Sequence, residues 1–313
     1  MISRYMNSSV SALLLLVSPA ALSLEEHSIS LSVDSVELHA TLVQPDGSDV
    51  LVILHPGSGP TDRDGNQPGM QNDGLHLLSD GLAAAGLAVL RYDKRGVGAS
   101  QSDQRESELR PSHYINDLVA WADWARATGT FSRLVLLGHS EGAMFAKAAA
   151  GLTEVDGVVS VAGAGRRMGV LLLEQTEGRR PGALDKQFRE ILASLEAGRE
   201  VEDVPPLLAA LFRPSVQPYL IEWLALDPAE LAGQLNVPLL VVAGSTDLQV
   251  VRVDYDALAE HADQSVWIEG MNHVLREKDG TLAEQMSSYL SPEAPLHAEL
   301  VPVVVNFIKG ISR

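Results

Sequence analysis

Hydrophobic and polar residues alternate along two short segments near the N-terminal end of the chain. These segments, residues 27–33 and 36–43, are separated by Asp34 and Ser35. The period of two predicts an antiparallel hairpin at the edge of a sheet. Short, largely apolar runs follow, as is typical of strands that are buried on both faces. They lie at residues 50–54, 87–90, 134–137, 155–161, 238–243 and 265–268.

Segments with apolar residues at helical spacing separate most of these runs. In residues 72–85 the spacing is set by Leu75, Leu78 and Leu82, and Gly86 ends the segment. Similar segments cover residues 111–127, 143–151, 252–261 and 300–311. Strands that alternate with helices in this way predict an α/β fold with a mostly parallel, doubly wound sheet.

One long stretch breaks this alternation. Residues 163–235 contain helical patterns with no strand pattern between them, and prolines at positions 205, 206 and 214 interrupt it. An insertion of this length without strands is typical of a lid or a binding element. We therefore predict a helical cap insertion at residues 163–235, between a first part of the core at residues 24–162 and a second part at residues 236–313.

The first 23 residues contain the three parts of a secretory signal peptide in order. Arg4 is positively charged, residues 10–17 form an apolar core, and Ala21-Leu22-Ser23 is a small-x-small cleavage site. The apolar core is too short to span a bilayer as a helix. These features predict a signal peptide at residues 1–23 and a periplasmic or secreted protein without stable membrane insertion after cleavage. An uncleaved anchor, or a start at Met6, is the alternative.

Composition and charge narrow the classes of function. The chain has 313 residues, of which 46% are hydrophobic, and a net charge of -18. So acidic a chain is not expected to bind nucleic acid or anionic membranes, because both require basic surface. The absence of cysteine excludes disulfides, thiolate nucleophiles and cysteine-ligated metals. We expect no metal site, because no cluster of His, Asp or Glu residues has ligand spacing. The oligomeric state stays open.

The chemical centre of the sequence is Gly138-His139-Ser140-Glu141-Gly142. The motif lies between an apolar run and a helical segment, which is the context that a nucleophile elbow requires. Glycines on either side of Ser140 allow the strand and the helix to approach closely, and the turn exposes the serine hydroxyl. The backbone N–H of Glu141 then lies at a helix N-terminus, where it can donate to an oxyanion. The alternative is a glycine-rich turn with a serine N-cap.

Two further residues follow predicted strands in the order that such chemistry needs. Asp247 comes after the run at residues 238–243, and His273 comes after the run at 265–268. His273 can accept the proton of Ser140, and Asp247 can orient the imidazole. Because carboxyl ends of strands meet at one edge of an open α/β sheet, we predict a Ser140-His273-Asp247 triad.

Other residues compete for these roles with weaker positions. Asp254 and Asp256 lie inside a predicted helix, and His261 precedes the last predicted strand. His139 is next to the serine in sequence, and we expect its side chain to point away from the hydroxyl. Taken alone, Asp247 could also be a helix N-cap or turn residue.

A loop rich in glycine and proline follows the run at residues 50–54, where a second oxyanion donor belongs in this architecture. We assign the backbone N–H of Ser58 to that role, with Gly59 as the adjacent possibility. Asp62, Arg63 and Asp64 are expected to form a local ion-pair network that stiffens the loop.

Four motifs together resemble the α/β-hydrolase superfamily and, more narrowly, bacterial serine esterases of the EstD type, often labelled dienelactone hydrolase-like or serine aminopeptidase-like. They are residues 58–66, 91–98, 138–142 and 270–273, within a resemblance that runs from about residue 50 to the C-terminus. The resemblance implies an α/β-hydrolase fold and carboxylic-ester hydrolysis, mainly of short acyl chains, with no cofactor. Dienelactone hydrolases are known for a cysteine nucleophile, which this chain lacks, so their substrate is not carried over.

These features predict a serine hydrolase that acts on a small-molecule ester through an acyl-enzyme. One alternative is a serine aminopeptidase or amidase with the same triad, for which Glu174, Glu177 or Glu222 could hold a peptide terminus. A binding protein on a hydrolase fold, without catalysis, is the other alternative.

Overall fold

The computed structural model describes residues 24–178, 180, 182–278 and 281–312. The predicted signal peptide, residues 1–23, lies outside the described residues. Within the described part of the chain, no helix combines the length and the apolar character needed to cross a membrane.

An eight-stranded sheet organises the described residues, with strand order β1-β2-β4-β3-β5-β6-β7-β8. β1 pairs antiparallel with β2, and β2 pairs antiparallel with β4, whereas all other neighbours are parallel. The edge hairpin and the mostly parallel sheet are therefore confirmed. The strands are β1 (Glu26–Val33), β2 (Val36–Val43), β3 (Val50–His55), β4 (Ala88–Tyr92), β5 (Arg133–His139), β6 (Gly157–Val161), β7 (Leu239–Gly244) and β8 (Gln264–Ile268).

Helices cover both faces of the sheet, which makes it doubly wound. Alternate residues of β3 supply two separate cores: Leu51 and Ile53 face one, and Val52 and Leu54 face the other. The first core packs against α2 (Pro111–Thr128) and α3 (Glu141–Ala150), and the second against α1 (Gly74–Ala84) and α11 (Leu300–Gly310).

Between β6 and β7 the described residues form helices and no strand. These are α4 (Met168–Thr176), α5 (Gly182–Glu196), α6 (Ala209–Phe212), α7 (Gln217–Ala225) and α8 (Pro228–Gly233). Phe188, Phe212 and Leu220 of this insertion are buried in the core that also contains α2 and α3. The insertion is therefore packed on the sheet and shares its core.

The region after β7 contains α9 (Arg252–Ala259) and also α10 (Leu282–Ser287), which the periodicity did not predict. The Thr281 hydroxyl accepts from the Glu284 N–H at 3.3 Å, and the Glu284 carboxylate accepts from the Thr281 N–H at 2.7 Å. This capping box, Thr281-x-x-Glu284, is a sequence signal that predicts a helix start. It was missed because the helix is too short to show an apolar period.

Candidate active site

Ser140 lies in a strained turn between β5 and α3. Its φ of 56° and ψ of -123° are unusual for a residue with a side chain. A Cβ added at Gly138 would lie 2.0 Å from the Gly142 carbonyl oxygen. A Cβ at Gly142 would lie 2.5 Å from the carbonyl oxygens of His55 and Pro56. Both glycines are therefore required for the close approach of strand, helix and neighbouring loop.

Three side chains that the sequence places far apart meet in one hydrogen-bonded chain. His273 Nε2 lies 3.1 Å from Ser140 Oγ, and His273 Nδ1 lies 2.8 Å from Asp247 Oδ2. Asp247 Oδ1 accepts from the backbone N–H groups of Gln249 and Val250 at 2.7 and 2.9 Å. Asp247 and His273 are buried. Both oxygens of the Asp247 carboxylate are therefore hydrogen-bonded. The carboxylate favours the tautomer of His273 that carries its proton on Nδ1.

The alternatives that the sequence offered to Asp247 and His273 have other contacts in the structure. Asp254 is buried and accepts from Arg166 Nε and Nη2, each at 3.0 Å. Asp256 accepts from Arg252 Nε at 2.7 Å on the exposed side of α9. The ring of His261 lies against Gly233. Among the described residues, Asp247 is thus the carboxylate that contacts His273.

His139 belongs to the site, although its place in the sequence predicted only a side chain that points away from the Ser140 hydroxyl. Its ring centroid lies 5.0 Å from that of His273, and its Nε2 donates to the His273 carbonyl oxygen at 2.8 Å. Burial, followed by the nearby His273, lowers the pKa of His139 to about 4. A neutral His139 therefore supports the loop that carries His273. Only its position directly before Ser140, at the end of β5, could have indicated this.

The two predicted oxyanion donors flank the serine. Ser58 and Glu141 line the cavities beside Ser140, and among the described residues neither backbone N–H has a hydrogen-bond acceptor. A Cβ at Gly57 would lie 3.2 Å from Ser140 Cβ, so the loop approaches the nucleophile closely. Gly59, the adjacent possibility, does not line either of these cavities.

Charged residues join the loop after β3 to the loop after β4. Arg63 donates to Asp93 through its backbone N–H at 2.9 Å and through Nη2 at 2.7 Å. Arg91 Nε donates to Asp64 at 2.9 Å. The predicted local ion-pair network is therefore wrong: Arg63 and Asp64 pair with residues of the second motif. The Asp62 carboxylate accepts only from the backbone N–H groups of Asp64 and Asn66 among the described residues. The hydrogen bonds from Arg63 hold the pKa of Asp93 below its usual value against the opposing effect of burial.

Two small cavities flank Ser140 in the described part of the chain, and both are lined by Ser58, Ser140 and Gln249. The first, the loop cavity, has a volume of about 80 Å³ and is lined by Gln67, Asn72, Leu75, Val274 and Tyr289, among others. The second, the insertion cavity, has a volume of about 120 Å³ and is lined by Met144, Met168, Leu171, Leu172, Trp223 and Val250, among others. The reacting carbon of a substrate at Ser140 can thus direct one group into each cavity.

Glu141 brings a carboxyl group to the wall of the insertion cavity. Tyr219 of α7 donates a hydrogen bond to Glu141 Oε1 at 2.9 Å. Burial raises the pKa of Glu141, and the charge of Lys94 and the hydrogen bond from Tyr219 oppose that rise. The insertion therefore contacts the residue that directly follows Ser140.

Two of the three carboxylates suggested for holding a peptide terminus, those of Glu174 and Glu222, have other partners. Glu174 accepts from Arg166 at 2.8 Å, and Glu222 accepts from the Ser112 backbone N–H at 2.6 Å. Glu174, Glu177 and Glu222 line neither the loop cavity nor the insertion cavity.

One group of described residues, Glu26, His76 and Asp80, has potential ligand atoms within 4.8 Å of one another. Arg91 Nη2 donates to Glu26 Oε1 at 2.6 Å, so a guanidinium already supplies positive charge there. The group is partly exposed, and Glu26 forms an ion pair with Arg91 at the sheet edge.

Comparisons with known proteins agree with this architecture. The family described as "Serine aminopeptidase, S33" matches residues 73–174. The chain is 28% identical over 232 residues to esterase EstD of Thermotoga maritima. That match covers 74% of this chain and 52% of EstD, so the chain spans about half the length of the curated relative it matches.

Solved structures share the fold over most of both chains. Est1E from Butyrivibrio proteoclasticus, with ferulic acid bound, has a TM-score of 0.59 at 16% identity, and the match covers 90% of this chain and 96% of the Est1E chain. The α/β hydrolase GrgF from Penicillium sp. sh18 has a TM-score of 0.61 at 18% identity, and the match covers 92% of this chain and 99% of GrgF. At these identities the likeness concerns the fold.

Proposed function

We propose that this chain, which has the α/β-hydrolase fold, is a serine carboxylesterase in which Ser140, His273 and Asp247 form the catalytic triad. The hydrogen-bonded chain from Ser140 through His273 to Asp247, at 3.1 and 2.8 Å, carries this proposal. The 28% identity to an esterase supports the choice of an ester as the substrate class.

Acylation uses the three side chains in sequence. Ser140 Oγ attacks the ester carbonyl carbon while its proton moves to His273 Nε2. The Asp247 carboxylate stabilises the imidazolium and keeps its Nδ1 proton in place. When the tetrahedral intermediate collapses, the C–O bond of the ester breaks and His273 returns the proton to the leaving alcohol.

Two backbone N–H groups stabilise the charge that develops on the carbonyl oxygen. The N–H groups of Ser58 and Glu141 serve this role in the proposal, because both flank Ser140 and neither has another acceptor among the described residues. Water then attacks the acyl-enzyme, with His273 as the base, and the acid is released.

We assign the acyl group to the insertion cavity and the alcohol to the loop cavity. The insertion cavity is lined mainly by apolar side chains, whereas Gln67, Asn72 and Tyr289 add polar groups to the loop cavity. The volume of the insertion cavity, about 120 Å³, is smaller than the roughly 300–1,000 Å³ of sites for drug-sized ligands. Short acyl chains are therefore the preferred substrates in this proposal, and residues 163–235 act as a cap that forms the acyl wall.

The test is the initial rate of hydrolysis of p-nitrophenyl esters of increasing acyl length, for the wild type and for Ser140→Ala. We expect a maximum at short chains, and a loss of about 10⁴-fold or more in kcat for the variant. Ester hydrolysis that survives in Ser140→Ala would contradict the proposal. Failure of a fluorophosphonate probe to label Ser140 would instead favour a binding protein.

A serine aminopeptidase or amidase is the second candidate, because the matching family carries that description. The same triad would act, with an amine as leaving group. Amino-acid p-nitroanilides measured beside the esters separate the two candidates. Turnover of the amides with Ser140-dependent kinetics, in the absence of ester turnover, would favour the peptidase.

We further propose that the enzyme acts in the periplasm or is secreted after removal of residues 1–23. The order of charge, apolar core and small-residue site in that segment supports this. Cell fractionation with N-terminal sequencing of the mature protein tests it, and a mature chain that retains Met1 would contradict it.

A further inference from the structure

The loop after β4 buries three consecutive charged residues, and the middle one is held differently from its neighbours. Asp93 bonds to Arg63, and Arg95 bonds to Asp117 of α2. Lys94 is only 3% exposed, and no carboxylate in the described part of the chain lies within ion-pair distance of its ammonium. Its Nζ donates instead to the carbonyl oxygens of Gly57 and Gly59, at 2.5 and 2.6 Å.

The first of these carbonyls belongs to the same peptide unit as the N–H of Ser58. A trans peptide is planar, and its C=O and N–H point in opposite directions. When Lys94 holds the Gly57 oxygen on one side, the Ser58 N–H must face the other side. A hydrogen bond to the carbonyl also polarises the unit and makes its N–H a better donor.

The rest of the loop is held at the same point. The Ser58 carbonyl accepts from Thr61 Oγ1 at 2.7 Å and from Gln67 Nε2 at 3.0 Å. The carbonyls of Gly57, Ser58 and Gly59 therefore all have partners, and the Ser58 N–H, which has no acceptor among the described residues, stays available beside Ser140. Because Gly57 has no side chain, a rotation of its peptide unit would meet little steric resistance without Lys94.

We infer that Lys94 is a positioning residue of the oxyanion hole: its ammonium orients the Gly57–Ser58 peptide so that the Ser58 N–H faces the reacting oxygen. The inference rests on the proposed function, because it assigns a purpose to a group within that site. It gives the segment at residues 91–98 a role in turnover at Ser140.

The charge of Lys94 is sensitive to alkaline pH. Burial lowers the pKa of Lys94 to about 8, while the nearby Glu141 opposes that change. The Tyr114 ring lies 5.7 Å from Nζ. Burial lowers the pKa of His55, and the Lys94 charge adds to that effect. Charged and titratable groups face Lys94 from the elements around it: Glu141 from α3, Tyr114 from α2, His55 from β3, and Asp93 and Arg95 from its own loop.

A deprotonated lysine still donates, but a charge-assisted hydrogen bond is roughly twice as strong as a neutral one. Because the pKa lies below the usual 10.5, the stronger form is present at pH 7 and is lost as the pH rises through about 8. The wild-type kcat should therefore fall over this range.

The experiment compares Lys94→Met with Lys147→Met, which removes another buried lysine. Lys147 lies in α3, is 1% exposed, and has Ser160 Oγ at 3.5 Å as its side-chain partner. Short-chain p-nitrophenyl ester hydrolysis is measured from pH 6 to 9.5, with the melting temperature of each protein. We expect Lys94→Met to lower kcat by about 10- to 100-fold with little change in KM. The reason is that the oxyanion develops only in the transition state and the tetrahedral intermediate, and not in the bound substrate. Lys147→Met should keep the wild-type kcat.

The pH profile supplies a readout that a purely structural role would not change. The alkaline fall in kcat near pH 8 should be present in the wild type and in Lys147→Met, and absent in Lys94→Met. Equal kcat in folded Lys94→Met and Lys147→Met, or a change confined to KM, would overturn the inference. If Lys94→Met does not fold, a wild-type kcat that stays constant from pH 7 to 9.5 would overturn it.

The two proposals fail in different ways. Ester hydrolysis that does not depend on Ser140 would remove the serine-esterase proposal itself. Ser140-dependent hydrolysis that Lys94→Met leaves unchanged would remove only the role of Lys94.

Discussion

Ser140 occupies a backbone conformation that its immediate neighbours make possible. Its positive φ costs on the order of 1–3 kcal/mol. Gly138 and Gly142 permit that conformation because a Cβ at either position would collide with backbone atoms. This strained turn places the Ser140 hydroxyl within hydrogen-bond distance of His273.

The substitution Asp247→Asn tests the proposed role of Asp247 as the acid of the triad. Asparagine can keep the hydrogen bonds from Gln249 and Val250, but its amide would face His273 Nδ1 and favour the wrong tautomer. We expect kcat to fall by about 10³- to 10⁴-fold with little loss of stability. Steady-state kinetics on a short-chain p-nitrophenyl ester measure the change.

Asp254→Asn is the matched control for that prediction. Asp254 is also a buried aspartate, but its carboxylate pairs with Arg166 and not with His273. The control should lose stability while the kcat of the folded protein stays close to the wild-type value. A larger loss of kcat in Asp254→Asn than in Asp247→Asn would show that the acid has been assigned wrongly.

Between elements, the order of strands determines which loops meet. β4 lies beside β3 in the sheet, so the loops that follow the two strands lie side by side. Arg63 pairs with Asp93 of the loop after β4, and Asp64 pairs with Arg91 near the end of β4 itself. These ion pairs stabilise the loop after β3, which carries Ser58.

The inserted helices contribute directly to the site. Glu222 of α7 bonds to the start of α2, and Tyr219 of the same helix bonds to Glu141. Leu171 and Leu172 of α4 line the insertion cavity. Differences in these helices should thus alter acyl-chain preference without altering the triad.

Leu171→Ala tests this role of α4. Leu171 lines the insertion cavity and is 3% exposed, so truncation enlarges the acyl site. We expect the acyl length of maximal kcat/KM to increase, with a change of about 1–3 kcal/mol in discrimination for each methylene accommodated. Kinetics on p-nitrophenyl esters of increasing length provide the measurement.

Leu173→Ala in the same helix is the control, because Leu173 packs against the core but does not line the cavity. It should leave the chain-length profile unchanged. The same shift in both variants would mean that the preference responds to general loosening of the insertion and not to the cavity wall.

For the whole molecule, buried lysines link stability to pH. Burial lowers the pKa of Lys147 from 10.5 to about 7, so the unfolded chain binds a proton that the native protein has released between these values. The free energy of unfolding therefore rises with pH in this window, and the cost of burying Lys147 is full at or below about pH 7.

Lys147→Met should accordingly stabilise the protein by on the order of a few kcal/mol at pH 6 to 7, with a gain that shrinks as the pH approaches 10. Urea unfolding at several pH values measures it. Lys186→Met, at a 75% exposed lysine of α5, should show no such pH dependence. A gain for Lys147→Met that is constant with pH would contradict the assignment.

The sequence by itself predicted the sheet and the positions of the residues that meet at its edge. Strand and helix periodicity are local properties of the backbone, and parallel strands bring their carboxyl ends together wherever they pair. The prediction that Ser140, Asp247 and His273 lie near one another therefore required no knowledge of tertiary contacts. Their catalytic roles stay a prediction that kinetics must test.

The tertiary structure decided the partners of the buried polar groups. The contact of His139 with His273 spans 134 residues, and that of Lys94 with Gly57 spans 37. No periodic pattern encodes such pairs, because they depend on strand order and on the direction in which each loop leaves the sheet. For the same reason, the sequence did not predict that Arg63 pairs with Asp93 of the neighbouring loop. The two cavities on either side of Ser140 likewise depend on how the loops and the insertion pack.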